Sequence, residues 1–211
     1  MLNEIRNYLD FAGLQYRNPD KAGEEREKML ELRHKGQEAR KAFTELAKAF
    51  QASHPEWQLQ QTSQWMNQAQ RLRPHFWVYL QRDGQVTEPM LALRLYGNPS
   101  DFGISLEVSF IERKKDEQTL GKQAKVLEVP AVEGIYYLVY YNGQSQRWEA
   151  NEENRQILIE KIGSQEIRKV LVKADVPVTA NLSEEEIVEG LLKSYAKILP
   201  YYLATRKLDN P

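Results

Sequence analysis

Residues 103–114 read GISLEVSFIERK, and every second side chain from Ile104 through Leu106 and Val108 to Phe110 is apolar. A period of two marks a strand that lays one face on a core. Glu112 and Lys114 continue the same side of the alternation, so the apolar face runs straight into a carboxylate and an ammonium. Two runs of similar character precede it, HFWVYLQR (75–82) and PMLALRLYG (89–97). Asp83-Gly84 and Gly97-Asn98-Pro99 supply turn chemistry between the runs. Short strands linked this locally predict an antiparallel meander with one face on the core. In its first strand Phe76, Val78 and Leu80 face one way, and His75, Trp77 and Tyr79 the other.

Working outward, IYYLVYYNGQSQRWEA (135–150) carries Asn142-Gly143 between two strand-like runs, which predicts a tight hairpin because both turn residues tolerate positive φ. KVLVKA (169–174) is a further strand and 57–60 a short one, so a sheet of about five to six strands is expected. Helical spacing dominates the N-terminal part. Met29, Leu32, Gly36, Ala39, Phe43, Leu46 and Phe50 recur every three or four residues, predicting one long amphipathic helix over 20–53. Gly36 in its middle marks a close crossing or a bend. A shorter helix over Asn3 to Phe11 would pair with it as a hairpin.

The glutamine-rich 58–70 stretch is read as a short helix over 62–71, and 116–126 as another with Asp116 as its N-cap. Asn151 caps a helix that Gly163 closes. Ser183 and Glu186 form a capping box for the last helix. That helix is expected to bury Ile187, Val188, Leu191, Leu192, Tyr195 and Leu199 before Pro200 breaks or kinks it. The fold class is therefore α+β, with N-terminal helices packed on an antiparallel sheet and a C-terminal helix completing the cover. All of 1–211 forms one domain, helical over 1–54 and built of sheet and covering helices over 55–211.

Twenty-nine basic residues against thirty acidic ones give a net charge of -1, so no global field draws the chain to nucleic acid or anionic membrane. The lack of cysteine excludes disulfides, thiolate zinc sites and cysteine nucleophiles. Glu4, Arg6 and Asp10 interrupt any apolar core a secretion signal would need. No apolar window reaches the ~18 residues of a membrane span. The expectation is a cytoplasmic protein with no membrane partner. A nucleotide-binding GxGxxG, a phosphate loop and a Gly-x-Ser-x-Gly elbow are all missing from the sequence.

Three groups of residues could carry chemistry. Asp101, Glu112 and Lys114 stand in the order used by restriction-type nucleases, where two carboxylates hold Mg²⁺ and the lysine activates water. RLRPHFWVYLQR (71–82) interleaves Arg71, Arg73, His75 and Arg82 with Phe76, Trp77 and Tyr79, the mixture that holds single-stranded nucleic acid by phosphate contact and stacking. The neutral overall charge disfavours that reading. Tyr137 and Tyr141 on one strand, with Trp148 across the hairpin and Arg94 and Tyr96 on the meander, are the candidate ligand-binding set.

FAGLQYRNP (11–19), PHFWVYLQRDG (74–84) and LSEEEIVEGLL (182–192), followed by LPYY (199–202), together resemble a small bacterial protein family of about this length. Some of its members carry the label glucose-6-phosphate dehydrogenase. The resemblance spans nearly the whole chain and contains no catalytic signature, so no site residue follows from it. A dehydrogenase of that kind needs a glycine-rich strand-to-helix turn for its dinucleotide, and the sequence has none. The expected function is a non-catalytic module binding a small molecule or a protein, with no cofactor. The alternative is a metal-dependent phosphodiesterase using Asp101, Glu112, Lys114 and Mg²⁺.

Overall fold

The computed structural model describes residues 2–82, 88–109, 117–179 and 182–206. Helix α1 (Leu2–Leu9) lies against α2 (Arg26–Ala52), whose 27 residues make a rod about 40 Å long. All seven members of the predicted stripe, from Met29 to Phe50, are buried, and the exposed side of the rod is polar. Each fully buried large apolar side chain contributes roughly 1.5–3 kcal/mol over its exposed state. A 27-residue polar-faced helix owes its stability to that stripe rather than to propensity.

Seven strands follow: β1 (Gln58–Leu59), β2 (Trp77–Gln81), β3 (Met90–Asn98), β4 (Asp101–Ser109), β5 (Tyr136–Tyr141), β6 (Gln144–Glu149) and β7 (Val170–Pro177). They form one antiparallel sheet in the order β1-β2-β3-β4-β7-β5-β6. The meander β2-β3-β4 and the hairpin β5-β6 are both as predicted. Asn142 and Gly143 take φ of 50° and 79° in the hairpin turn, the left-handed values that asparagine and glycine accept at least cost. The chain then returns through α4 (Glu152–Gly163) and inserts β7 between β4 and β5.

Helix α5 (Glu184–Thr205) packs on β4, β7 and α2 and closes the core. Its capping box is present: Ser183 Oγ accepts from Glu186 N at 3.2 Å, and Ser183 N donates to Glu186 Oε2 at 2.7 Å. Helix α3 (Glu117–Ala124) runs into a 3₁₀ turn over 125–128, and its Lys122 pairs with Glu88 ahead of β3 at 2.6 Å.

Four expectations are corrected. The 62–71 stretch is not a helix: Met66 bridges Leu72, Arg71 bridges Gln15, and Gln70 sits at φ 57°. Its backbone is claimed by neighbours instead, Ser63 N bonding Trp77 O, Leu72 N bonding Leu14 O and Arg73 N bonding Trp65 O. Pro200 does not break α5, which continues to Thr205 because Ile198, Tyr201 and Tyr202 on either side of it are fully buried. Val188, Leu192 and Leu199 are only half-buried in that helix. Strand β4 is buried on both faces rather than one, since it lies at the centre of the sheet. Phe110 and Asp116 lie outside the described residues.

Candidate functional site

Strand pairing assigns every strand residue to one of two faces. Leu80, Leu91, Val108, Val172 and Tyr137 are aligned across β2-β3-β4-β7-β5 and belong to the core under the helices. The row one step along reads Tyr79, Ala92, Glu107, Lys173 and Tyr136 on the far face. Met90, Ala92 and Tyr136 are buried there yet do not join the main hydrophobic cluster, which is drawn from the other face.

At the centre of the far face Glu107 is 0% exposed. Its Oε1 accepts from both Nε and Nη2 of Arg94, at 3.1 and 2.9 Å, and its Oε2 lies 3.0 Å from Lys173 Nζ. Burial by itself pushes the Glu107 carboxyl up, but Lys173 and Arg94 outweigh it and hold the group below the ordinary carboxylate range. Burial likewise pushes the Lys169 ammonium down, Glu107 opposing and Arg94 adding to the shift. His75 is pushed down first by burial and then by the positive charges of Arg94, Arg73 and Lys173. Glu107 opposes these cations.

Aromatic rings sit among these charges. The guanidiniums of Arg73 and Arg94 lie 4.6 and 5.4 Å from the Trp77 ring centroid, and the His75 ring lies 5.9 Å from Trp77. Burial raises the Tyr79 phenol, whose hydroxyl meets Arg94 and Ser109. Further along the face Tyr96 lies across Gly103, where a Cβ would sit 2.3 Å from its hydroxyl. Tyr136 donates to Asp175 Oδ1 at 3.0 Å, and Arg147 Nη1 donates to Asp175 Oδ2 at 2.8 Å while its guanidinium covers the Tyr136 ring at 3.8 Å. Around Trp77 and Glu107 the described residues thus place the cations Arg73, Arg94 and Lys173 and the carboxylate of Glu107.

The predicted ligand-binding set does not assemble at one place. Tyr137 is fully buried in the core with its phenol pushed up to about 12 by burial. Tyr141 shares that face, meeting Trp148 edge to face at 6.3 Å and accepting from Lys161 Nζ at 3.0 Å. Arg94 and Tyr96 stand on the opposite face. Of the nuclease set, Asp101 is exposed at the first position of β4, its backbone N bonding Asn98 Oδ1 at 3.2 Å. Glu112 and Lys114 lie outside the described residues. Ser109, where β4 ends, is eight residues beyond Asp101, roughly 26 Å along an extended strand. Among the described residues no three His, Asp or Glu side chains are grouped to hold a metal.

Of the 71–82 segment, Arg73, His75, Trp77 and Tyr79 do converge on the far face. Glu107, Lys169, Lys173 and Asp175 were not singled out by the sequence reading. Their signal was present as charges on the polar side of two apolar strands, but which strands adjoin was not legible. No family model matches the chain, and no curated protein matches it.

Proposed function

We propose that this protein is a non-catalytic binding module that receives a small anionic molecule on the far face of its sheet. The observation that carries the reading is the cluster around Trp77: the guanidiniums of Arg73 and Arg94 lie 4.6 and 5.4 Å from its ring, and Arg94 and Lys173 share the one carboxylate of Glu107. A partly buried surplus of positive charge is costly unless an anion completes it. The tyrosine hydroxyls and guanidiniums are the directional donors such a ligand needs.

Two other activities are less well supported. Of the phosphodiesterase set only Asp101 is among the described residues, and it lies at the exposed start of β4. A dinucleotide-dependent dehydrogenase builds its site on parallel strands with a glycine-rich turn, whereas every strand pair described here is antiparallel.

The test is a thermal-shift screen of the full chain against small anionic metabolites and oligonucleotides, with and without Mg²⁺. A rise in Tm with a small anion, lost in Arg73→Gln, is the expected outcome. No shift with any anion, or Mg²⁺-dependent cleavage abolished by Asp101→Asn, would overturn the reading.

A further inference from the structure

We infer that His75 is a ligand-contacting group of this site, meeting the bound anion beside Arg73 and taking up a proton as the anion arrives; this rests on the binding reading above. Arg73, His75, Trp77 and Tyr79 fall on one side of the chain running into and along β2. Leu95 N donates to Phe76 O at 2.9 Å, so pairing with β3 extends ahead of Trp77, and Phe76 is fully buried in the core while His75 is left on the opposite side. The Arg73 guanidinium and the His75 ring lie 4.6 and 5.9 Å from the same Trp77 centroid.

These two groups differ from their neighbours in having polar atoms that no protein group claims. Arg94 gives Nε and Nη2 to Glu107, whose other oxygen is held by Lys173. Arg73 gives only Nε, to Met66 O at 3.2 Å, and its two Nη groups have no hydrogen-bond partner among the described residues. Neither ring nitrogen of the half-buried His75 has one among them either. A neutral imidazole offers an oxyanion a single N–H, whereas an imidazolium offers a charge-assisted donor from either nitrogen.

Without a ligand His75 is neutral at pH 7. Burial pushes it below the ordinary 6.5, Arg94, Arg73 and Lys173 push it further, and Glu107 opposes them. An anion seated against the ring reverses that balance, because a nearby negative charge favours the protonated form. The bound state then holds the proton more tightly than the free state, so affinity rises as pH falls through the imidazole range. The charged and titratable groups about the ring are Arg73 on its own approach, Tyr79 of β2, Arg94 of β3, Glu107 of β4 and Lys173 of β7. Glu107 is held below the ordinary carboxylate range and Tyr79 above the ordinary phenol range, so neither changes charge between pH 5.5 and 7.5.

The experiment follows the His75 Hε1 signal of the full chain by ¹H NMR from pH 5 to 8, alone and saturated with benzenesulfonate, and measures benzenesulfonate and sulfate affinities at pH 5.5 and 7.5. Both anions keep a constant charge over this range, so the pH dependence comes from the protein. The His75 midpoint is expected at higher pH with the anion bound, and affinity about threefold or more tighter at pH 5.5 than at pH 7.5. His75→Gln should bring the two affinities together and Arg73→Gln should weaken both, with far-UV dichroism confirming the fold; the midpoint in the parent chain decides the matter without either variant. If the anions bind and the His75 midpoint does not move, or the pH dependence survives in His75→Gln, the inference fails while the binding reading stands. If neither anion binds at either pH, both fail.

Discussion

Glu107 is the residue on which the far face turns, because it is a carboxylate with no exposure held by two cations. Removing a buried partner costs more than the pair contributes, since the opposite charges stay behind unpaired. Glu107→Gln is therefore expected to lose about 3–5 kcal/mol, seen as a lower urea midpoint at pH 7 with an unchanged slope. The pH dependence has a definite sign. The folded-state pKa lies below the ordinary 4.5, so the unfolded chain binds the proton more readily. The stabilisation is complete above pH 4.5 and is lost as pH falls through the folded value. Urea unfolding at pH steps between 3 and 7 should show a shallower acid loss for the Gln variant; parallel curves would sink this account.

Among the elements, α2 shows how much a sequence period can reveal. The stripe from Met29 to Phe50 is buried as spaced, and Gly36 marks a close crossing as expected. What crosses there was not legible: Trp65, from the stretch misread as helix, lies so close that a Cβ on Gly36 would meet its ring at 2.6 and 2.7 Å. Gly36→Ala would gain up to about 1 kcal/mol of helix propensity but overpack a ring that is 6% exposed and braced edge-on by Tyr16 at 5.0 Å. Overpacking of this kind costs typically 1–3 kcal/mol. The variant is expected to melt at a lower temperature than the parent, and a higher Tm would mean that Trp65 yields freely. The failure over 62–71 has the same root. Its fate was decided by hydrogen bonds to Leu14 and Trp77, residues outside any local window.

Across the whole molecule, α5 ties the C-terminal part to the segment after α2. Trp57, 1% exposed, donates its indole N–H to Tyr195 Oη at 3.1 Å, and Tyr195 in turn donates to Glu56 at 3.2 Å. Tyr195→Phe keeps the ring and strips Trp57 of its acceptor. Leaving a buried donor unpaired costs about 1–3 kcal/mol, to be read by urea denaturation. Tyr140→Phe, at a side chain 62% exposed, serves as the control and should stay within about 0.5 kcal/mol of the parent. Equal effects of the two substitutions would refute the role given to the Trp57–Tyr195 contact.

By itself the sequence determined what local chemistry can encode: the period of α2, the parity of each strand, the Asn142-Gly143 turn and the Ser183 capping box. Each depends on residues within a few positions of one another, so each is visible in one short window. Only the tertiary structure decided which strands adjoin. Alternation says that Glu107 and Lys173 both oppose the apolar side of their own strands, yet it is silent on register. The insertion of β7 between β4 and β5 sets Lys173 directly opposite Glu107 and Tyr136. The same geometry divides the predicted ligand residues, sending Tyr137 of β5 into the core and leaving Arg94 of β3 on the charged face, because the two faces of one sheet cannot share one site.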